Sequence, residues 1–315
     1  MTFARKALLA LVLIPIVSLG MYAMFRQDLT LSKAEVKATY RLPNSHFLSW
    51  KGGELHYTES GAGMPVLMIH GFGGSNRDFV ALDSLIQSNY RIIRVDLPGF
   101  GLSDYPFSYT SDTTLMEAHT AYFNFLLDTL HIDSCYVMGN SMGGLMAMAL
   151  ALQHPDVVRK LVLFNSAGYD MEEVKKSANA DFFTLWPVRK FSERGLPEFM
   201  TAKGIERVPY DKTMVTPEKI TRVNSLWNRE GNLRHIVEMA NATDVFDQNR
   251  IAEIACPTMI VWGKQDKIVN VKYAERFHQD IKGSQLVVYD KCGHVPMMEK
   301  PEEVKRDVLQ FLTAN

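Results

Sequence analysis

The stretch Cys135-Tyr136-Val137-Met138-Gly139-Asn140-Ser141-Met142-Gly143-Gly144 decides how this chain is read. Cys135 to Met138 is an apolar run of strand character, and Met142 to Gln153 is a run of small and apolar residues with helical character, stopped at His154-Pro155. A serine between two glycines at such a junction predicts a sharp strand-to-helix turn that projects its hydroxyl. A side chain at Gly139 or Gly143 would collide with the neighbouring strand or helix, and Gly144 with Ala147 keeps the helix start slim. A tight turn with an incidental serine has the same pattern, so Ser141 gains meaning only from its partners.

A serine hydroxyl is a poor nucleophile at neutral pH and needs a base, which needs an orienting acid. The candidate base is His294, in Cys292-Gly293-His294-Val295-Pro296, after the expected strand Leu286 to Tyr289 and before the expected helix Pro301 to Leu312. The candidate acid is Asp266, in Trp262-Gly263-Lys264-Gln265-Asp266, after the strand Thr258 to Trp262. The reaction also needs donors for an oxyanion. His70-Gly71-Phe72-Gly73-Gly74 follows the strand Pro65 to Ile69, and the backbone N–H groups of Phe72 and Met142 are the candidate oxyanion donors. His70 is assigned a structural role in shaping that loop. Asp96 and Asp104, flanking Gly99-Phe100-Gly101, are assigned loop and turn chemistry, with no second base nearby. Asn241-Ala242-Thr243 matches a glycosylation sequon, a frequent accident. Nothing has zinc, P-loop or dinucleotide-fingerprint spacing, so no cofactor and no metal are expected.

Working outward, a strand is expected at Arg91 to Leu97 and another at Leu161 to Phe164, with helices at Arg77 to Ile86, Thr113 to Leu130 (capped by Asp112 or Thr113) and Val271 to His278. Short apolar strands alternating with helices predict an α/β protein, a mostly parallel sheet covered on both faces. The alternation breaks between about Tyr169 and Arg250, which holds Phe182, Phe183, Trp186, Phe191 and Phe199 with helical patterns. Residues 47–168 and 251–315 are read as the core, and 169–250 as an inserted helical cap over the C-terminal edge of the sheet. With 315 residues and 47% hydrophobic composition the chain can bury a full core. A formal net charge of −1 gives no electrostatic case for nucleic acid as a partner. Cys135, Cys256 and Cys292 form neither a disulfide framework nor a metal motif, and Cys135 is expected as an apolar filler in its strand.

Arg5 and Lys6 precede an uncharged, mostly apolar run from Ala7 to Phe25. As a helix rising about 1.5 Å per residue it nearly spans a hydrocarbon core of about 30 Å. A cleaved signal peptide with Ser18-Leu19-Gly20 at its site is one reading. The run is long for that, so residues 1–25 are read as a retained single-pass membrane anchor. Arg26, Lys33, Lys37 and Arg41 oppose Arg5 and Lys6, so flanking charge does not fix the orientation. Residues 26–46 are read as a juxtamembrane helix or stalk, Ser32 and Glu35 forming a capping box and Pro43-Asn44 ending it.

On the motifs His70-Gly71-Phe72-Gly73-Gly74, Asp96-Leu97-Pro98-Gly99-Phe100-Gly101, Gly139-Asn140-Ser141-Met142-Gly143-Gly144 and Gly293-His294, residues from Phe47 to Leu312 resemble the α/β-hydrolase superfamily. The resemblance implies that fold, Ser141, Asp266 and His294 as triad, and Phe72 and Met142 as oxyanion donors. Within the superfamily the chain looks like bacterial membrane-anchored lipases and phospholipases A and the related monoacylglycerol lipases. That likeness implies a serine ester hydrolase acting on a lipid or fatty-acyl ester. It further implies a bacterial inner-membrane protein with its catalytic domain in the periplasm, and a homodimer through the anchor and adjoining helix. The elbow is also similar to that of meta-cleavage-product C–C hydrolases, which is the alternative reading; a non-catalytic receptor of the same fold is a third. Ser141 argues against haloalkane dehalogenases and epoxide hydrolases, which need an aspartate there.

Overall fold

A computed structural model describes residues 27–106, 115–170, 194–240 and 246–314 of the chain. After the helix α1 (Lys33–Tyr40) come the strands β1 (Ser45–Trp50), β2 (Gly53–Ser60) and β3 (Pro65–Ile69), then helix α2 (Val80–Ile86) and β4 (Arg91–Val95). Helix α3 (Leu115–Thr129), β5 (Cys135–Asn140), α4 (Met142–Gln153) and β6 (Val158–Phe164) follow. The described part of the segment between β6 and β7 carries α5 (Glu198–Ile205), α6 (Pro217–Trp227) and α7 (Asn232–Ala240). The chain finishes with β7 (Thr258–Gly263), α8 (Lys272–Asp280), β8 (Gln285–Tyr289), the short α9 (Pro296–Glu299) and α10 (Pro301–Thr313).

The strands form one 8-stranded sheet in the order β1-β2-β4-β3-β5-β6-β7-β8. Only β1 with β2 and β2 with β4 are antiparallel; the other pairings are parallel. Buried strands of a parallel sheet need apolar residues on both faces. In β3, Leu67 and Ile69 join one core cluster with Met146 of α4 and Phe277 of α8. Val66 and Met68 point the other way, into a second cluster with Leu82 of α2 and Val308 of α10. The sheet is therefore sandwiched by helices. Because β3, β5, β6, β7 and β8 run parallel, the loops carrying His70, Ser141, Asn165, Asp266 and His294 all leave one edge of it.

The expected elements recur with shifted ends. The expected helix Arg77 to Ile86 splits into a 3-10 turn at Asn76–Phe79 and α2, because Ser75 and Asp78 close a capping box that starts the turn early. The expected cap of the helix near residue 113 lies outside the described residues. Ser32 Oγ accepts from the Glu35 N–H and starts α1. That helix lies against the domain: Val36 is buried with Leu102 and Leu226, Lys33 pairs with Asp104 at 3.0 Å and Lys37 with Glu54 at 2.7 Å. The expected membrane anchor, residues 1–25, lies outside the described residues. Among the described residues no helix is long and apolar enough to cross a membrane.

The β6–β7 insertion is fastened to the core through the loop after β4. Buried Arg229 donates to Ser103 O and pairs with Asp104, and Asn232 Nδ2 donates to Gly101 O. Asp96 anchors the same loop, and here the sequence reading needs correction. His56 of β2 lies against it, Nδ1 to Oδ2 at 2.6 Å, so a base is nearby. Burial works against the Asp96 carboxylate, yet His56, His70 and the Asn76 N–H outweigh it and hold its pKa below the usual carboxylate range. His56 Nε2 is spent on Ser45 Oγ at 2.7 Å, so this buried array knits β1, β2 and β4 together. Its role is the structural one expected of Asp96.

At the turn after β5, Ser141 has φ +54 and ψ −119, a conformation that L residues rarely adopt. A Cβ on Gly143 would lie 2.2 Å from Ile69 O, and one on Gly139 would lie 2.2 Å from Gly143 O. Gly143→Ala is therefore expected to destabilise the domain by about 1–3 kcal/mol, the cost of overpacking, measured by denaturant unfolding. An unchanged midpoint would contradict this packing. Ser141→Gly, which relieves the backbone strain, should unfold about 1 kcal/mol later than Ser141→Ala, which keeps it. Equal stability of the two variants would show that the turn stores no strain.

Candidate active site

Ser141 is held by its backbone on both sides. Its N–H donates to Phe164 O at 2.9 Å, and its carbonyl accepts from Gly144 N and Ala167 N. These bonds come from the end of β6, the loop after it and α4, so the strained residue cannot relax. The neighbouring Asn140 uses its side chain as a splice, its Nδ2 donating to Phe164 O and to His294 O, both at 3.0 Å. The elbow and the histidine loop are thereby tied although 154 residues apart in the chain.

Asp266 and His294 are brought together by the structure. His294 Nδ1 lies 2.7 Å from Asp266 Oδ2, and both side chains are buried. The other donors around Asp266 leave it only acceptor work. Oδ1 accepts from the N–H groups of Ile268 (2.7 Å) and Val269 (3.1 Å), and Oδ2 also accepts from Asn165 Nδ2 (2.5 Å). A carboxylate in this setting keeps the proton of the pair on His294 Nδ1, which leaves Nε2 with a lone pair to receive a proton.

The loop after β3 is built by His70. Leu97 N–H donates to His70 Nε2 at 3.0 Å, so the ring proton sits on Nδ1, which donates to Gly71 O at 2.7 Å. Gly74 N–H also donates to Gly71 O, at 3.0 Å. In a trans peptide the C=O and the following N–H point in opposite directions. Binding Gly71 O from behind therefore turns the Phe72 N–H outward. The loop abuts the elbow, since a Cβ on Gly71 would lie 3.1 Å from Ser141 Cβ and 3.2 Å from Asn140 O. Met142, as the first residue of α4, has an N–H without a helical acceptor. The N–H groups of Phe72 and Met142, on the loop beside Ser141 and at the helix start after it, are therefore the candidate donors to a carbonyl oxygen at this edge.

The insertion contributes directly to this edge. Trp227 Nε1 donates to Gly73 O at 2.7 Å, and Gly73 takes φ +70 beneath the indole. His294 N–H donates to Val208 O at 2.9 Å. His235 of α7 stacks on Tyr105 and meets Phe100 edge-on, and burial, then His119, depresses its basicity well below that of an ordinary imidazole. Phe72 itself is 43% exposed and touches Phe100.

Asn140, Asn165 and Trp227 tie this edge together and were missed by the sequence reading. Asn165 had a usable signal, a polar residue directly following an apolar strand at the same edge; the other two had none. Cys135 is fully buried and its thiol is pushed up to about 12, as an apolar filler would be. Among the described residues no group of three or more His, Cys, Asp or Glu could hold a metal ion.

Comparison with known proteins agrees with this architecture. The sequence profile described as the alpha/beta hydrolase fold matches residues 64–301. The chain is 32% identical over 287 residues to a 2-hydroxy-6-oxononadienedioate/2-hydroxy-6-oxononatrienedioate hydrolase of Pseudomonas putida, covering 85% of this chain and 96% of that one. Among solved structures, a meta-cleavage product hydrolase of Pseudomonas fluorescens IP01 superposes with a TM-score of 0.72 at 23% identity, over 85% of this chain and 97% of that one. A membrane phospholipase A superposes with a TM-score of 0.68 at 24% identity, over 98% of both chains. The two structural likenesses speak to the fold alone. The profile match and the sequence relative go further: the chain belongs to the α/β-hydrolase family.

Proposed function

We propose that this protein is a serine-dependent hydrolase of the meta-cleavage-product type, which breaks a carbon–carbon bond next to a ketone in a 2-hydroxy-6-oxo-dienoate. The observation that carries this reading is the near full-length kinship, 32% identical, with a hydrolase of 2-hydroxy-6-oxononadienedioate. It supersedes lipid ester hydrolysis as the leading reading, because relatives matched over 82–89% of this chain are hydrolases of 2-hydroxy-6-oxo-dienoates.

Ser141 Oγ attacks the ketone carbon, and His294 Nε2 takes its proton. The oxyanion is held by the N–H groups of Phe72 and Met142. For this the 2-hydroxy-diene must first ketonise, its hydroxyl proton moving to the chain carbon bonded to the ketone carbon, which becomes sp3 next to a conjugated 2-ketone. The bond between the two carbons then breaks, its electron pair passes through the conjugated double bond to the 2-oxygen, and the imidazolium returns its proton to that oxygen to give the hydroxydienoate. Water, deprotonated by His294, then attacks the acyl-enzyme and releases the carboxylic acid and Ser141. Asp266 keeps the imidazole in the correct tautomer throughout, and Asn165 keeps Asp266 in place. Residues 169–250 act as a cap that encloses the dienoate.

A second reading is favoured by one specific observation, the apolar run from Ala7 to Phe25. As a membrane anchor it would hold the enzyme at a bilayer, where the same acyl-enzyme chemistry would cleave a lipid ester. Purified full-length protein given a ring-fission dienoate and a lysophospholipid separates the two. The account expects bleaching of the dienoate chromophore at a kcat/KM at least tenfold above that for the ester; the reverse ratio would overturn it in favour of the ester.

Two variants test the assigned roles. Ser141→Ala should remove turnover of either substrate, and undiminished turnover would end the assignment. Asp266→Asn should lower kcat by about 10⁴-fold with the fold intact, because the imidazole is then held in the wrong tautomer. A drop below tenfold would remove Asp266 from its proposed role.

A further inference from the structure

The histidine loop is held from two sides by groups that belong to neither the sheet nor the triad. Glu299, at the end of α9, is half-buried five residues after His294. Its Oε1 accepts from the N–H of Gly293 at 2.9 Å and from the N–H of Val295 at 3.3 Å, the two residues flanking His294. Its Oε2 accepts from the N–H of Tyr210 at 2.7 Å, in the β6–β7 insertion. Between these contacts, His294 N–H donates to Val208 O. Three consecutive N–H groups of the catalytic loop are thus claimed by one carboxylate and one strip of the insertion.

The strip is stiff. Lys212 Nζ donates to Glu206 O and Pro209 O, both at 2.6 Å, which closes the segment on itself. Its fit to the histidine loop is equally tight. A Cβ on Gly293 would lie 2.6 Å from Tyr210 N and 2.7 Å from Val208 O, so only glycine allows the two backbones this approach.

We propose that Glu299 is a positioning residue for His294, and that it couples placement of the base to docking of residues 208–210 of the insertion. The inference rests on the reading of His294 as the base for Ser141. A carboxylate suits the task because it is an acceptor at both oxygens, and its bonds to N–H groups are charge-assisted. A glutamine has one acceptor oxygen; its amide would face an N–H either on Tyr210 or on Gly293 and Val295. Glu299→Gln therefore releases one side of the clamp with little change in volume.

The test is the second-order rate at which a fluorophosphonate probe labels Ser141. The probe reacts with an activated serine whatever the natural substrate, so the choice between dienoate and ester does not affect it. Glu299→Gln should slow labelling about 10- to 100-fold, the scale of a small misplacement of a reacting group, with an unchanged thermal unfolding midpoint. The low-field proton resonance of His294 Nδ1, bonded to Asp266, should broaden in the same variant. Labelling within twofold of wild type, or a sharp unshifted resonance, would overturn the proposal. If Glu299→Gln does not fold, Glu299→Asp, which keeps the charge on a shorter arm, takes its place with the same expectations. A wild-type protein whose Ser141 does not label would refute the nucleophile reading itself, and this one with it.

Discussion

The structure depends on a backbone that is not allowed to relax. Ser141 sits at φ +54 because Phe164 at the end of β6 accepts from its N–H and Ala167 in the next loop donates to its carbonyl, and because Gly139, Gly143 and Gly144 let strand, helix and Ser166 approach within distances that a Cβ could not survive. The strain of such a residue, about 1–3 kcal/mol, persists only where the surroundings over-determine it. The surroundings here are two apolar layers and a parallel sheet. Their burial holds the serine hydroxyl at the sheet edge where the other loops converge.

Order at that edge comes from fixed hydrogen bonds more than from charge. Both ring nitrogens of His70 are engaged, with Gly71 O and the Leu97 N–H, and they fix the loop after β3. Asp266 receives four donors and so holds one orientation. The insertion fastens both loops, through Trp227 on Gly73 and Val208 on His294. A cap that only covered the site could be exchanged without effect on the chemistry. This one shares hydrogen bonds with the loop after β3 and with the His294 loop, so its docking and the geometry of that edge are linked by the same contacts.

Much of this was legible in the sequence, for a physical reason. Parallel strands in a buried sheet are continuous apolar runs, and the loops that follow them share an edge, so Ser141, Asp266 and His294 could be placed from strand ends alone. The expected helix Met142 to Gln153 has its observed bounds because glycines and Pro155 mark both ends. The rest was illegible because it lies in pairings between distant segments. Asn140 and His294 O, Glu299 and Tyr210, and Trp227 and Gly73 O carry no motif. His56 escaped notice as the partner of Asp96 because it comes from β2, whose antiparallel register against β4 sets Tyr57 opposite Val95. Which substrate the site takes is likewise not written in the elbow, which serves carbon–carbon and ester hydrolysis alike.

The most direct measurement on the central claim is rapid-quench mass spectrometry of the full-length protein mixed with a 2-hydroxy-6-oxo-dienoate. The account predicts a transient mass increase equal to the acyl fragment on the peptide containing Ser141, appearing together with release of the hydroxydienoate. Release of that product without any adduct on Ser141, or an adduct formed only with a lipid ester, would contradict it.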